Sequence, residues 1–85
     1  MKGISDRAGE KLTELLHGST GLSQKRVRIS VLRGRLRLNV DTEPPRLSDK
    51  VFKYNGQDVL VADFATVAHL AGSMLDYQDG QFRIA

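Results

Sequence analysis

Along the stretch RVRISVLRGRLRLNVD, apolar residues first occupy odd positions (Val27, Ile29, Val31) and then even ones (Leu36, Leu38, Val40). Alternation with a period of two is the pattern of a half-buried strand, so a change of phase marks a turn between two strands. Placing Arg33-Gly34 at that turn pairs Val31 with Leu36, Ile29 with Leu38 and Val27 with Val40. Every one of these apolar residues then meets an apolar partner on one face, which fixes the register. Leu32 is the apolar residue left on the other face. Gly34 supplies the positive φ that a two-residue hairpin turn needs, although Arg is a poorer first turn residue than Asn or Asp.

The period changes elsewhere. In ISDRAGEKLTELLHG (4–18), Ile4, Ala8, Leu12, Leu15 and Leu16 recur at helical spacing and predict one apolar stripe. Ser5 or Asp6 is placed to cap this helix, and Gly18 to end it. Gly9 in its interior weakens it by about 1 kcal/mol relative to Ala. STGLSQK (19–25) reads as a polar loop. DTEPPRLSD (41–49) is irregular, because Pro44-Pro45 lacks two backbone donors. A second hairpin follows around Asn55-Gly56, a strong short-range hairpin signal. Asp63 then caps a short helix reaching about Ala71, with Phe64, Val67, Ala68 and Leu70 apolar and Gly72 at its end. MLDY and QFRIA flank Asp79-Gly80 as a third hairpin. The order predicts an α+β domain, a small mixed β-sheet of hairpins with two short helices, occupying residues 1–85 as a single domain. Its core is expected to unite Val27, Ile29, Val31, Leu36, Leu38 and Val40 with the Ile4, Ala8, Leu12 and Leu15 stripe.

Composition narrows the chemistry. The 85 residues include no cysteine, so this chain offers neither disulfides nor thiolate ligands. No apolar run approaches the roughly 20 residues that span a bilayer, and Met1-Lys2-Gly3 leads into no signal-type apolar stretch. A cytoplasmic location is the expectation. The net charge of +3 is unevenly placed. Six of the 13 basic residues (Lys25, Arg26, Arg28, Arg33, Arg35 and Arg37) form a run with no acid among them. The remaining seven face ten acidic residues, leaving a mildly acidic body with one basic segment.

No constellation points to catalysis. There is no G-x-S-x-G nucleophile turn, and neither GLSQK nor RGR carries the glycine run and following helix of a phosphate loop. His17 and His69 are too separated for a metal spacing, and each reads as a surface residue near a helix end. Asp76 could serve as a general acid or hard-metal ligand, but no second carboxylate stands at a convincing spacing. Anchoring a turn or backbone amides is its expected role. The candidate site is the basic hairpin, an interaction face of Arg26, Arg28, Arg33, Arg35 and Arg37. It suits an acidic protein better than nucleic acid, since no aromatic for base stacking lies between Lys25 and Asp41. It also suits a plain solvated face that keeps the hairpin from pairing with other chains.

From residue 51 the chain VFKYNGQDVLVADFATVAHLAGSMLDYQDGQFRI resembles the HesB/IscA family of A-type iron–sulfur carriers. The likeness lies in the Asn-Gly turn, the VLV strand, the acid-capped helix, and Gly72 two residues before MLDY with its Leu75, Asp76 and Tyr77. It extends to the Phe-x-Ile strand, and ISDRAGEKLTELL and RVRISV are similar to the family's first helix and first strand. The resemblance implies the family's fold and circle of partners. It does not imply the cluster chemistry. Arg33-Gly34-Arg35 occupies the place of the family's first cysteine, and the paired cysteines would follow the Phe-x-Ile strand, where the sequence ends at Ala85. Thiolates are what hold such clusters.

The reading is therefore of a non-enzymatic accessory or regulatory protein, without cofactor or catalytic residues, acting on an acidic protein or an iron–sulfur assembly component. One alternative is anion or nucleic-acid binding through Arg28, Arg33, Arg35 and Arg37. Another is a carrier whose thiolates come from a partner chain.

Overall fold

The computed structural model describes residues 1–17 and 25–85. The predicted loop at 19–25 and the helix-ending role of Gly18 lie almost wholly outside these residues. The elements run β1 (Gly3–Ile4), α1 (Asp6–His17), β2 (Arg26–Leu32), β3 (Arg35–Asp41), β4 (Lys50–Tyr54), β5 (Gln57–Ala62), α2 (Phe64–His69), β6 (Met74–Gln78) and β7 (Gln81–Ile84).

All three hairpins form around the turns the sequence marks. Val31 pairs with Leu36, Ile29 with Leu38 and Val27 with Val40. Each turn has two residues with positive φ: Arg33 and Gly34 at 52° and 76°, Asn55 and Gly56 at 51° and 79°, Asp79 and Gly80 at 53° and 78°. These are type I′ turns, whose twist matches that of the flanking strands.

The strands assemble into two sheets, ordered β3-β2-β5-β4 and β1-β6-β7. Both contain a parallel pairing that no local pattern announces. β2 lies parallel to β5 through Val27–Leu60 and Ile29–Ala62, and β1 parallel to β6 through Gly3–Met74 and Ile4–Leu75. Val59, Leu60, Val61 and Ala62 are all buried, as a central strand covered on both faces requires. A bulge between Phe52 and Lys53 in the β4 pairing accompanies this run.

The core differs from expectation in identifiable ways. Ile4 belongs to β1 rather than to the helix, and Leu15 is 42% exposed. The helix instead buries Ala8, Gly9, Leu12 and Leu16. Gly9 explains the rotation of this face: a Cβ placed there would run into the ring of Tyr54 on β4. The residue that lowers helix propensity thus admits a ring against the helix backbone.

Ser5 caps α1, its Oγ accepting from the Ala8 N–H at 3.2 Å. In α2 the Asp63 carboxylate accepts from the Thr66 N–H at 2.7 Å, as its position predicts. That helix stops at His69, short of Ala71. It buries Thr66, while Leu70 just beyond it is also buried; of its other apolar residues, Phe64 and Ala68 are exposed and Val67 is half-buried. Val40 is exposed as well, and Leu36 and Leu38 are only half-buried. β3 is the edge strand of its sheet, so its apolar face extends past the cover that buries Val27 and Ile29 on β2.

Candidate interaction face

On β2 and β3, alternation sends Arg26, Arg28, Arg35 and Arg37 to the face opposite Val27 and Ile29, with Arg33 in the turn. The structure divides these five arginines into two groups.

At the base of the hairpin the guanidinium groups are committed to the fold. Arg28 donates from Nε to Asp41 Oδ2 at 2.8 Å, and from Nη2 and Nη1 to the two carboxylate oxygens of Asp49 at 2.8 and 3.3 Å. The Asp49 contact is a two-pronged arginine–carboxylate bond, the strongest geometry available to such a pair. Only 1% of the Asp49 side chain is exposed. Asp41 also accepts from the Glu43 N–H at 2.9 Å, and Asp49 from the Arg46 N–H at 2.8 Å. The bonds from Arg28, then these backbone donors, hold both carboxyls below the ordinary aspartate range, and the two aspartates hold Arg28 still more firmly charged. Arg26 is buried and reaches Asp58 Oδ2 at 3.3 Å, where Lys53 Nζ stands 4.0 Å from the other oxygen. Arg26 and Arg28 therefore do not belong to an open interaction face. Each sits in a central strand beside acids delivered by the neighbouring strands and the 41–49 connection.

At the tip the situation is reversed. Arg33, Arg35 and Arg37 are exposed and line an open depression together with Leu32, itself 51% exposed. None of the ion pairs among the described residues involves these three. Three exposed cations that pair with no acid among the described residues give this end of the hairpin a positive character.

The other candidate residues fall away from this face. Asp76, on β6, is buried and accepts from Ser5 Oγ at 2.5 Å and from Arg7 Nη2 at 2.8 Å. The Ser5 bond, the Tyr77 N–H and Arg7 keep its carboxyl below the ordinary aspartate range. It ties the start of α1 to the smaller sheet chiefly through the Ser5 and Arg7 side chains, whereas the expected role was to anchor a turn or backbone amides. His17 and His69 are exposed in the last turns of two different helices. Among the described residues no three histidine, cysteine, aspartate or glutamate side chains are grouped to hold a metal.

Sequence reasoning missed the acids. Asp41 was within reach, since the hairpin register already sets it opposite Arg26. Asp49 and Asp58 were not, because they meet β2 only through the connection before β4 and the parallel β2–β5 pairing.

No family model matches the sequence. No curated protein matches it either. The crystal structure of Escherichia coli SufA, involved in biosynthesis of iron–sulfur clusters, does match, with a TM-score of 0.78. The chain has the fold of SufA. The match covers 99% of this chain and 85% of the SufA chain at 21% sequence identity. The resemblance to the HesB/IscA family read from the hairpin turns, the capped helix and the MLDY strand thus agrees with the fold. At this identity the likeness to SufA concerns architecture, and residue roles rest on the geometry above.

Proposed function

We propose that this chain is a non-enzymatic accessory protein of iron–sulfur cluster assembly that binds another protein through Arg33, Arg35 and Arg37 and holds no cluster through ligands of its own. The observation that carries this reading is the exposed tip: three arginines without partners among the described residues, on a SufA-like fold with no cysteine in its 85 residues. Exposed arginines suit recognition because the planar guanidinium bonds carboxylates through two donors at once. Exposed charges of this kind contribute little to stability, which leaves these side chains available for recognition.

Two measurements test the proposal. Anaerobic incubation with iron and sulfide is expected to leave the pure protein colourless, because no thiolate is available to it. The triple variant Arg33→Glu, Arg35→Glu, Arg37→Glu is expected to lose its partners in a pull-down from native extract while melting as the parent does. A visible charge-transfer band with stoichiometric sulfide would overturn the first claim. An unchanged partner set would overturn the second.

The convergence of three guanidinium groups around one depression also suits a phosphate backbone. Steeply salt-dependent binding of an arbitrary duplex by the parent protein would favour that reading. A cluster that forms only when a thiol-bearing partner is mixed in would favour shared ligation instead.

A further inference from the structure

The tip arginines lie on a strand whose outer edge is open. β3 pairs with β2 on one side, and among the described residues no strand lies on the other. A two-residue turn closes the ladder with a hydrogen-bonded pair, here Leu32 and Arg35, and such pairs then alternate with non-bonded ones. The residues of the non-bonded pairs turn their N–H and C=O groups outward. On β3 these are Leu36, Leu38 and Val40. The same three side chains form the incompletely covered apolar row of the core face, whereas Arg35, Arg37 and Asn39 occupy the opposite face. One edge therefore combines unpaired backbone groups, an apolar row below and a cationic row above.

We infer that β3 accepts an extended segment of another protein as a fifth strand, and that this segment alternates acidic and apolar residues. The inference rests on the protein-binding role proposed above and specifies its partner. The backbone ladder supplies affinity without regard to sequence, and the alternating side chains supply specificity. Acidic residues of the added strand stand beside Arg35 and Arg37, and its apolar residues extend the row of Leu36, Leu38 and Val40. A second copy of this chain is the wrong occupant. Pairing β3 antiparallel with itself about Leu38 sets Arg37 beside Asn39 and Arg35 beside an Asp41 that is already bonded to Arg28, so the cations gain no free acid. Nucleic acid would satisfy the guanidinium groups and leave the three outward amides and the apolar row unanswered.

The probe is a capped peptide of about seven residues, a usual strand length, alternating glutamate and valine. A lysine–valine peptide of the same length serves as control. Binding is followed by nuclear magnetic resonance, with amide exchange measured residue by residue. The glutamate peptide is expected to slow exchange at Leu36, Leu38 and Val40 by about tenfold or more at saturation, since those amides become ladder donors. Raising the salt weakens the complex, and Arg35→Glu with Arg37→Glu weakens it by about tenfold or more while shifting preference to the lysine peptide. Absence of binding at about 1 mM peptide, a bound state weaker than any useful recognition, would overturn the inference. So would binding without protection of those three amides, or protection that grows with protein concentration in the absence of peptide. If the arginine variants lose partners from extract while the peptide leaves the edge unprotected, the proposed protein-binding role stands and strand addition falls.

Discussion

The base and the tip of one hairpin carry the same residue type to opposite ends. Arg28 is fixed by Asp41 and Asp49, whereas Arg35 and Arg37, a few residues further along the same ladder, touch no carboxylate among the described residues. Composition is the same in both places, and topology separates them. β2 is an inner strand with acids arriving from both sides, and β3 is an edge strand whose tip projects beyond them. An arginine-rich segment thus states how much charge is available. Only the strand order states how much of it remains for a partner.

The sharpest way to break this comparison is to truncate one arginine from each group. Arg28→Ala leaves the buried Asp49 carboxylate without its counterion. Losing one partner of a buried pair costs about 3–5 kcal/mol, and because Arg28 is 23% exposed about 2–3 kcal/mol is expected here. Arg35→Ala or Arg37→Ala should stay within about 0.5 kcal/mol of the parent, as surface substitutions do. Urea unfolding with the midpoints compared at constant slope measures both. Equal losses at base and tip would erase the distinction.

A second, smaller effect separates the two ends by pH. The folded-state carboxyls of Asp41 and Asp49 lie below their unfolded values, so the stability they contribute is fully present above about pH 4 and disappears as the pH falls through the folded values. Arg28 remains charged throughout. The parent should therefore lose stability between pH 5 and the acid limit more steeply than Arg28→Ala, in which the chief cause of the depression is gone. Charge removal at Arg35 and Arg37 should leave the slope unchanged. Thermal melts over a series of acidic buffers give the comparison.

The smallest expected effect is at the turn itself. Arg33 holds a φ of 52°, which asparagine adopts more readily than arginine. Arg33→Asn should raise stability by about 0.5 kcal/mol while removing one tip cation. A turn variant that is more stable but binds its partner less well would show that arginine is kept at this position against the preference of the turn.

The sequence disclosed what is local. The phase change around Arg33-Gly34 and the Asn55-Gly56 and Asp79-Gly80 pairs fix three hairpins because register and turn chemistry are settled within a dozen residues. Asp63 announces its helix in the same way. What remained hidden depends on contacts between distant segments. β1 has only two residues and no period to detect, and its neighbour β6 begins beyond residue 70. Ile4 and Leu15 fit a helical stripe equally well until Tyr54, on another hairpin, selects the Gly9 side of α1. The same reason kept hidden that two of the five candidate arginines are tied to acids of the fold. Arg26 and Arg28 looked free because their acids come from positions 41, 49 and 58, which only the assembled sheet brings near. The exposure of Arg33, Arg35 and Arg37 was legible because the tip of a hairpin has few neighbours to acquire.

The two parallel pairings bear on how the chain can be divided. Residues 1–41 provide β1 to one sheet and β2 and β3 to the other, and residues 50–85 provide β6 and β7 to the first and β4 and β5 to the second. A cut in the connection between Glu43 and Arg46 severs no strand. Yet neither fragment would hold a complete sheet. Each half is the template on which the other is finished, and the ladders of β1 on β6 and β2 on β5 are the seam along which two separately made pieces would have to recombine.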